Sequence, residues 1–317
     1  DRGKISETLH TVITFGVFLG IGLMLIGWLT ARPILELSGT PESVLDEALL
    51  YINIYFISIP FMVIYNFGAA ILRSYGDSQR PMYYLLISGI VNVVLNLVLV
   101  IVFKLGVAGV AISTVISNVL STALVLIHLY RRQDEFAFRF EKMGIKKQPL
   151  IRVLKIGIPA GIQGAIFSIS NVFIQSGINS FGEYAIAGSS LALNFEYFTY
   201  DIANAFAQAA VTFTSQNVGA RRYDNLDRVM RNCLLCVTVV GLFLGCGAYF
   251  GGEVLLHFYS TDEAVVAAGL SRMQIICTAY FLCGIMDTLA SCLRGRGYSV
   301  IPMIVSLVGS CLLRLVW

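Results

Sequence analysis

The sequence predicts an all-α polytopic membrane protein built from two repeated helical lobes. Three observations carry that expectation: 57% of the 317 residues are hydrophobic, only 13% are charged, and one block of sequence returns 221 residues later. Ordinary soluble domains carry about a quarter charged residues, whereas this chain has a mean hydropathy of +0.78. The repeat pairs LRSYGDSQRPM at 72–82 with LRGRGYSVIPM at 293–303, so Arg73 aligns with Arg294, Gly76 with Gly297 and Pro81 with Pro302. The same offset, held without a gap, lays GTPESV at 39–44 over STDEAV at 260–265. A duplicated membrane chain suits alternating access, because two like bundles can rock about a central site.

A helix needs ~20 apolar residues to cross a hydrocarbon core of ~30 Å. Stretches of that kind fall at roughly 8–31, 48–72, 81–103, 107–130, 151–177, 184–215, 229–251, 265–292 and 299–317. The ninth reads as cut short. Gly16 and Gly20, Gly157 and Gly161, and Gly241 and Gly245 each have the GxxxG spacing that permits close helix contact. Pro60 and Pro159 remove a backbone donor from their spans, which predicts static bends. Gly76 with Pro81, and Gly297 with Pro302, predict two copies of one tight turn, glycine giving backbone freedom and proline opening the next helix.

This organisation predicts an N-terminal lobe over 1–130, a charged linker over 131–150 containing Gly144 and Pro149, and a C-terminal lobe over 151–317. Two spans precede the repeated block in the second half and none in the first. If both halves carry the same set, two helices precede Asp1, and the cut helix is completed after Trp317 and followed by one more. The result is six plus six, with about nine helices present here. An even number of spans per half makes the lobes parallel repeats about an axis along the membrane normal.

All of the 22 basic residues except Arg32, Lys104, Arg272 and Arg314 fall on one side of this scheme, and Glu36, Glu42, Asp46, Glu47, Glu183, Glu253, Asp262 and Glu263 on the other. Because Lys and Arg are retained in the cytoplasm, the first residues and the 131–150 linker are expected there. The net charge of +3 is therefore a topogenic and lipid-facing pattern, with no nucleic acid partner implied. Seven cysteines between Cys233 and Cys311 read as unpaired packing residues, and no metal site is expected from Cys233 and Cys236 without a second ligand pair. No phosphate-binding loop, nucleophile with a nearby base or HExxH helix appears, so neither an enzyme nor an ATP-driven pump is expected.

Ionisable residues at membrane depth cost about 2.5–3.5 kcal/mol each on insertion scales and mark functional positions. Glu196, Asp201, Asp287 and Arg314 qualify. Glu196 and Asp201 turn about 140° apart on one helix, so they cannot face one point without a distortion. Gln163, Asn171, Gln175, Asn194 and Gln208 are candidate polar lining, and Phe195, Tyr197 and Tyr200 could offer faces to a planar cation. Asn92 and Asn96, four apart, read as a fastening within the first lobe. An alternative role for Asp287 is an ion pair with Arg314.

The paired LRSYGDSQRPM and LRGRGYSVIPM turns, FTSQNVGARR at 213–222, IPAGIQ at 158–163 and NVVLN at 92–96 together resemble the multidrug and toxic compound extrusion (MATE) family. Their order and spacing match from that family's third helix into its eleventh. Residues 1–130 would then hold helices 3–6, and residues 151–317 helices 7–11. The resemblance implies a two-lobed secondary antiporter, without a cofactor, that exports small cationic or amphiphilic drugs in exchange for H⁺ or Na⁺. It further implies a multi-pass protein of a bacterial cytoplasmic membrane, embedded in the bilayer and working as a monomer. Asp287, seven residues before Arg294, falls near an acidic position of related proteins. The seventh helix, where some members carry a glutamate, offers Gln163, Asn171 and Gln175 instead.

Within this reading Glu196 and Asp287 exchange a proton for a cationic substrate, with the neutral amides as hydrogen-bonding partners. A flippase for a lipid-linked sugar is the alternative within transport, but Arg314 is the one clear intramembrane cation it could use. A polytopic membrane enzyme would need a catalytic pair that the sequence does not show.

Overall fold

A computed structural model describes residues 2–37 and 41–312. Arg314 lies outside the described residues, so its pairing with Asp287 is not addressed. The described residues form nine α-helices and no strand: α1 (Arg2–Leu37), α2 (Glu42–Ser74), α3 (Gln79–Leu97), α4 (Gly106–Arg131), α5 (Lys147–Asn179), α6 (Glu183–Gly219), α7 (Leu226–His257), α8 (Glu263–Gly295) and α9 (Val300–Ser306). Wide π-type turns extend α3 through Val98–Val102 and α9 through Leu307–Leu312. Helices suit such a chain because every backbone donor and acceptor is satisfied within the segment.

Seven helices, α1 to α5 with α7 and α8, are long and apolar enough to cross a membrane. The expectation of nine crossing segments is thus met differently at two places. α9 is short within the described residues. α6 has the length, 37 residues, but Asn194, Glu196, Asp201, Asn204 and Gln208 dilute its apolar character.

The chain divides into two compact units, one up to Val153 and one from Leu154 onward. The 221-residue repeat is visible in both. α8 begins and ends 221 residues after α2, and α9 begins 221 residues after α3. After α2, Gly76 adopts φ +105°, and the N–H groups of Gly76 and Asp77 donate to the carbonyls of Arg73 and Leu72, each at 3.0 Å. After α8, Gly297 adopts φ +93°, and Gly297 and Tyr298 donate to Arg294 and Leu293 at 2.9 and 3.0 Å. Both are Schellman ends, in which glycine takes the left-handed conformation a side chain would strain. The repeat also reaches the packing. A Cβ on Gly20 would lie 2.5 Å from Pro60 Cα, and one on its counterpart Gly241 would lie 2.8 Å from Cβ of Phe281, the counterpart of Pro60.

Of the three GxxxG pairs, Gly16/Gly20 and Gly241/Gly245 make such close approaches, whereas Gly157 and Gly161 have open space where a Cβ would project. The close-contact expectation fails there because α5 has no neighbouring helix within its own unit at that face. α2 and α5 run unbroken through Pro60 and Pro159.

The first unit closes around Leu9 and Ile13 of α1, Tyr65, Ala69 and Leu72 of α2, Val125 and Leu129 of α4, and Phe138. Within α3, Asn96 Nδ2 donates to Asn92 Oδ1 at 3.1 Å, and Ser113 Oγ of α4 donates to Asn96 Oδ1, the fastening expected of this asparagine pair. Phe138 lies in the segment read from sequence as a linker, and that segment packs on the first unit. Its backbone N–H groups at Arg139, Gly144 and Lys146 donate to His10 Nε2, Thr14 Oγ1 and Thr11 Oγ1 at 3.0, 3.2 and 3.1 Å. His10 Nδ1 lies 2.7 Å from the Ser6 carbonyl. A carbonyl only accepts and an amide N–H only donates, so in these two contacts Nδ1 is the donor and Nε2 the acceptor.

At the start of the segment Arg132 stacks over Tyr75, 4.1 Å from the ring centroid. It also donates to the Tyr75 hydroxyl and binds Asp134 through Nε and Nη2. Hydrogen bonding to Arg132 holds the Asp134 carboxyl below the usual carboxylate range. Its contribution is therefore present above that range and lost as pH falls through the lowered value. Protection of amides 133–138, taken relative to intrinsic exchange at each pH, should fall on acidification through that window, and Asp134→Asn should abolish this pH dependence of protection. Phe138→Ala should destabilise the first unit by about 3–5 kcal/mol, read as an earlier thermal transition in detergent.

Candidate functional site

The second unit is organised by α6 and α8, which lie side by side in one direction. Three close approaches fix their register. A Cβ on Gly188 would fall 2.6 Å from Gly269 N, one on Gly284 would fall 3.3 Å from Ala203 Cβ, and one on Gly295 would fall 2.7 Å from Thr214 Cβ. In each pair the partners stand 81 residues apart, so the helices keep step over most of their length. Gly188, Ala192, Ala203, Ala207 and Ala210 form the buried face of α6. Small residues there let the backbones approach without leaving polar groups in lipid.

Glu196 lies on this buried face at 7% exposure. One turn away on α8, Arg272 donates from Nε to Oε1 at 2.6 Å and from Nη2 to Oε2 at 3.1 Å. This two-point pairing engages both carboxylate oxygens in parallel, the strongest geometry such a pair can take. Beside it pack Ala192, Ala248, Met273 and Cys277, with Phe195 against the cluster. The expectation that Glu196 exchanges a proton for a cation thus meets a carboxylate already neutralised within its own unit. The charge pattern counts Arg272 with Arg32 and Lys104 as the basic residues toward the non-cytoplasmic side, and so does not reveal this partner. The run of small residues on α6 and α8 was the signal that could have supplied the register.

Asp201 has the opposite surroundings. It is exposed, and so are Asn194, Gln208 and Ser215. These four stand seven residues apart, two helical turns each, and so form one straight polar seam on the face of α6 turned away from α8. Tyr197 flanks the seam at 63% exposure. Asp201 makes no hydrogen bond or ion pair among the described residues.

Asp287 is half-buried on α8 and likewise has no hydrogen bond or ion pair among the described residues, with Arg294 the cation in electrostatic reach. The 81-residue register sets Asp287 level with Phe206, about 8 Å further along the axis than Asp201. Tyr200 lies in the field of both carboxylates. Tyr200 is thus in electrostatic reach of both carboxylates, while Glu196 is held by Arg272.

The remaining candidates divide. Gln163 is buried, donating from Nε2 to Ser306 Oγ at 2.9 Å and accepting at Oε1 from Arg294 Nη2 at 2.6 Å. It ties α5, α8 and α9 together instead of lining open space. Asn171 is exposed on α5, and Gln175 donates to Asn179 on the same helix at 3.1 Å. Phe195 meets Tyr259 edge to face at 6.0 Å, a packing role. Among the described residues no cluster of His, Cys, Asp or Glu could hold a metal ion.

Isolated carboxylates and polar seams on long apolar helices, set in a duplicated scaffold, belong to membrane transporters. The family model MatE matches residues 1–98 and 159–317, and the chain belongs to that family, a transporter family and not an enzyme family. Among curated relatives, the probable multidrug resistance protein YoeA of Bacillus subtilis is 28% identical over 97% of this chain and 68% of its own length. The multidrug export protein MepA of Staphylococcus saprophyticus is 24% identical over 92% of this chain and 66% of its own. The chain therefore spans about two thirds of the length of these relatives. The solved structure of the Vibrio cholerae MATE transporter VcmN superposes with a TM-score of 0.84 at 20% identity, covering 97% of this chain and 74% of that one.

Glu196→Gln should strand the Arg272 charge and destabilise the second unit by about 3–5 kcal/mol. The double change Glu196→Gln with Arg272→Gln should recover most of that loss, both read as thermal unfolding in detergent.

Proposed function

We propose that this chain acts in a secondary antiporter of the cytoplasmic membrane that exports cationic or amphiphilic drugs in exchange for H⁺ or Na⁺. The observation that carries the reading is that Asp201, on the exposed seam of α6, and Asp287, on α8, make no hydrogen bond or ion pair among the described residues. An exposed carboxylate on a membrane helix is costly against lipid and is tolerated where it meets a water-filled path. The names of the curated relatives, multidrug resistance and multidrug export proteins, support drugs as the substrates.

The chemistry follows from competition. A carboxylate that holds a proton or Na⁺ does not hold a cationic drug, so binding of one releases the other. Each ligand must favour a different access state for the exchange to drive export. Asp287 and Asp201 take this role, and Glu196 does not, because Arg272 already occupies it. Asn194 and Gln208 supply neutral hydrogen bonds along the seam, and Tyr197 and Tyr200 offer ring faces to a planar cation. Gln163 contributes indirectly by holding Arg294 in place near Asp287.

The test is efflux of ethidium from cells expressing the full-length protein. Asp287→Asn should lower export at least tenfold with normal insertion, and Asp201→Asn should lower it or shift its pH dependence. Collapse of the proton gradient and of the sodium gradient, applied separately, identifies the coupling ion. An energised wild type that exports no cation would refute the drug-antiport reading and favour lipid flipping.

A further inference from the structure

The segment that follows α4 has two faces. The inner face is fixed: Phe138 is fully buried in the core of the first unit, and the backbone at Arg139, Gly144 and Lys146 is bonded to α1. The guanidinium of Arg139 donates to the carbonyls of Phe138, Tyr130 and Arg132. Neither Arg139 nor Arg132 is therefore free to bind anything else.

The outer face is a different surface. Phe140, Met143 and Ile145 project at 63%, 38% and 44% exposure. Lys142, Lys146 and Lys147 stand exposed between and after them, and Arg131 is exposed at the end of α4. These four cations make no hydrogen bond or ion pair among the described residues, and Glu141 is the one acid interspersed. Tyr130, also exposed, lies 6.1 Å from Phe140 between ring centroids.

Apolar side chains alternating with lysines suit neither water nor hydrocarbon alone, but they fit the boundary between the two. The height of the segment agrees. It is bonded to His10, Thr11 and Thr14, where the apolar run of α1 begins. The charge pattern places this end of the helices on the cytoplasmic side, where the leaflet carries anionic lipid.

We infer that residues 140–147 form a membrane-surface strap, with Phe140, Met143 and Ile145 entering the acyl boundary and Lys142, Lys146 and Lys147 binding anionic phospholipid headgroups of the inner leaflet. The ligand class is set by charge complementarity: three unpaired ammonium groups with one acid among them select an anionic headgroup over a zwitterionic one. Because the backbone is already held by α1, the strap is ordered before lipid arrives. This inference is independent of what is transported.

The test uses the full-length protein in lipid nanodiscs of phosphatidylcholine alone or mixed with phosphatidylglycerol. In Phe140→Trp, fluorescence is compared with that of the parent chain, which carries Trp28 and Trp317. Acyl-brominated lipid should quench the added signal, and brominated phosphatidylglycerol should quench it more than brominated phosphatidylcholine. Replacing Lys142, Lys146 and Lys147 by Gln should remove that preference, with a loss of roughly five-fold in anionic-lipid affinity per lysine. In the parent chain, phosphatidylglycerol should also raise the melting temperature, and the triple variant should lose the rise. Absence of quenching would overturn the strap. Equal quenching by both lipids, unchanged in the triple variant, would overturn the headgroup assignment.

Discussion

The close approach of α6 to α8 is the constraint on which the second unit depends. In hydrocarbon there is no hydrophobic gain from bringing two helices together, so association rests on van der Waals packing and on polar groups finding partners. Gly188, Gly269, Gly284 and Gly295 allow close approach of the two helices at levels far apart along the axes. Once that register is set, everything else on the two helices has a fixed height and a fixed side. Glu196 meets Arg272, and Asp201 is turned away from the contact.

That division gives two acidic residues on one helix, five apart, different chemical lives. Glu196 sits on the packed face, where an unpaired charge would be very costly, and its paired state makes it part of the framework. Asp201 sits on the face turned away from α8, where its charge is exposed and makes no hydrogen bond or ion pair among the described residues. An ion pair of this kind adds little net stability over an apolar contact, but its loss on one side is severe. It behaves as a lock on rotation of α6, since any turn about the axis that brought Asp201 inward would pull Glu196 off its partner.

Much of the architecture was legible in the sequence because its cause is local. The Schellman turns at Gly76 and Gly297, the helix boundaries around them and the repeat follow from glycine, proline and the length of apolar runs. The division of roles among the site residues was less legible, because it depends on which side of each helix is packed. Gln163 reads as cavity lining from its chemistry and proves to be a tie between α5, α8 and α9. Arg272 reads as a charge on the non-cytoplasmic side and proves to be the partner of Glu196. Both errors have one origin: periodicity places a residue on a face, whereas its neighbour depends on a register set by small residues far along the chain. The segment after α4 has no periodicity, so the burial of Phe138 could not have been read at all.

The bonds that dock this segment also decide how much slack the chain has between α4 and α5. A stretch of about fifteen residues between helices would ordinarily act as a slack leash, letting its ends wander. Here the leash is tied down at His10, Thr11 and Thr14, and α5 starts at Lys147, one residue beyond the last knot. Almost no free chain remains. The loop is a splint for the first unit, and the opening two turns of α5, up to Val153, belong to the unit it braces.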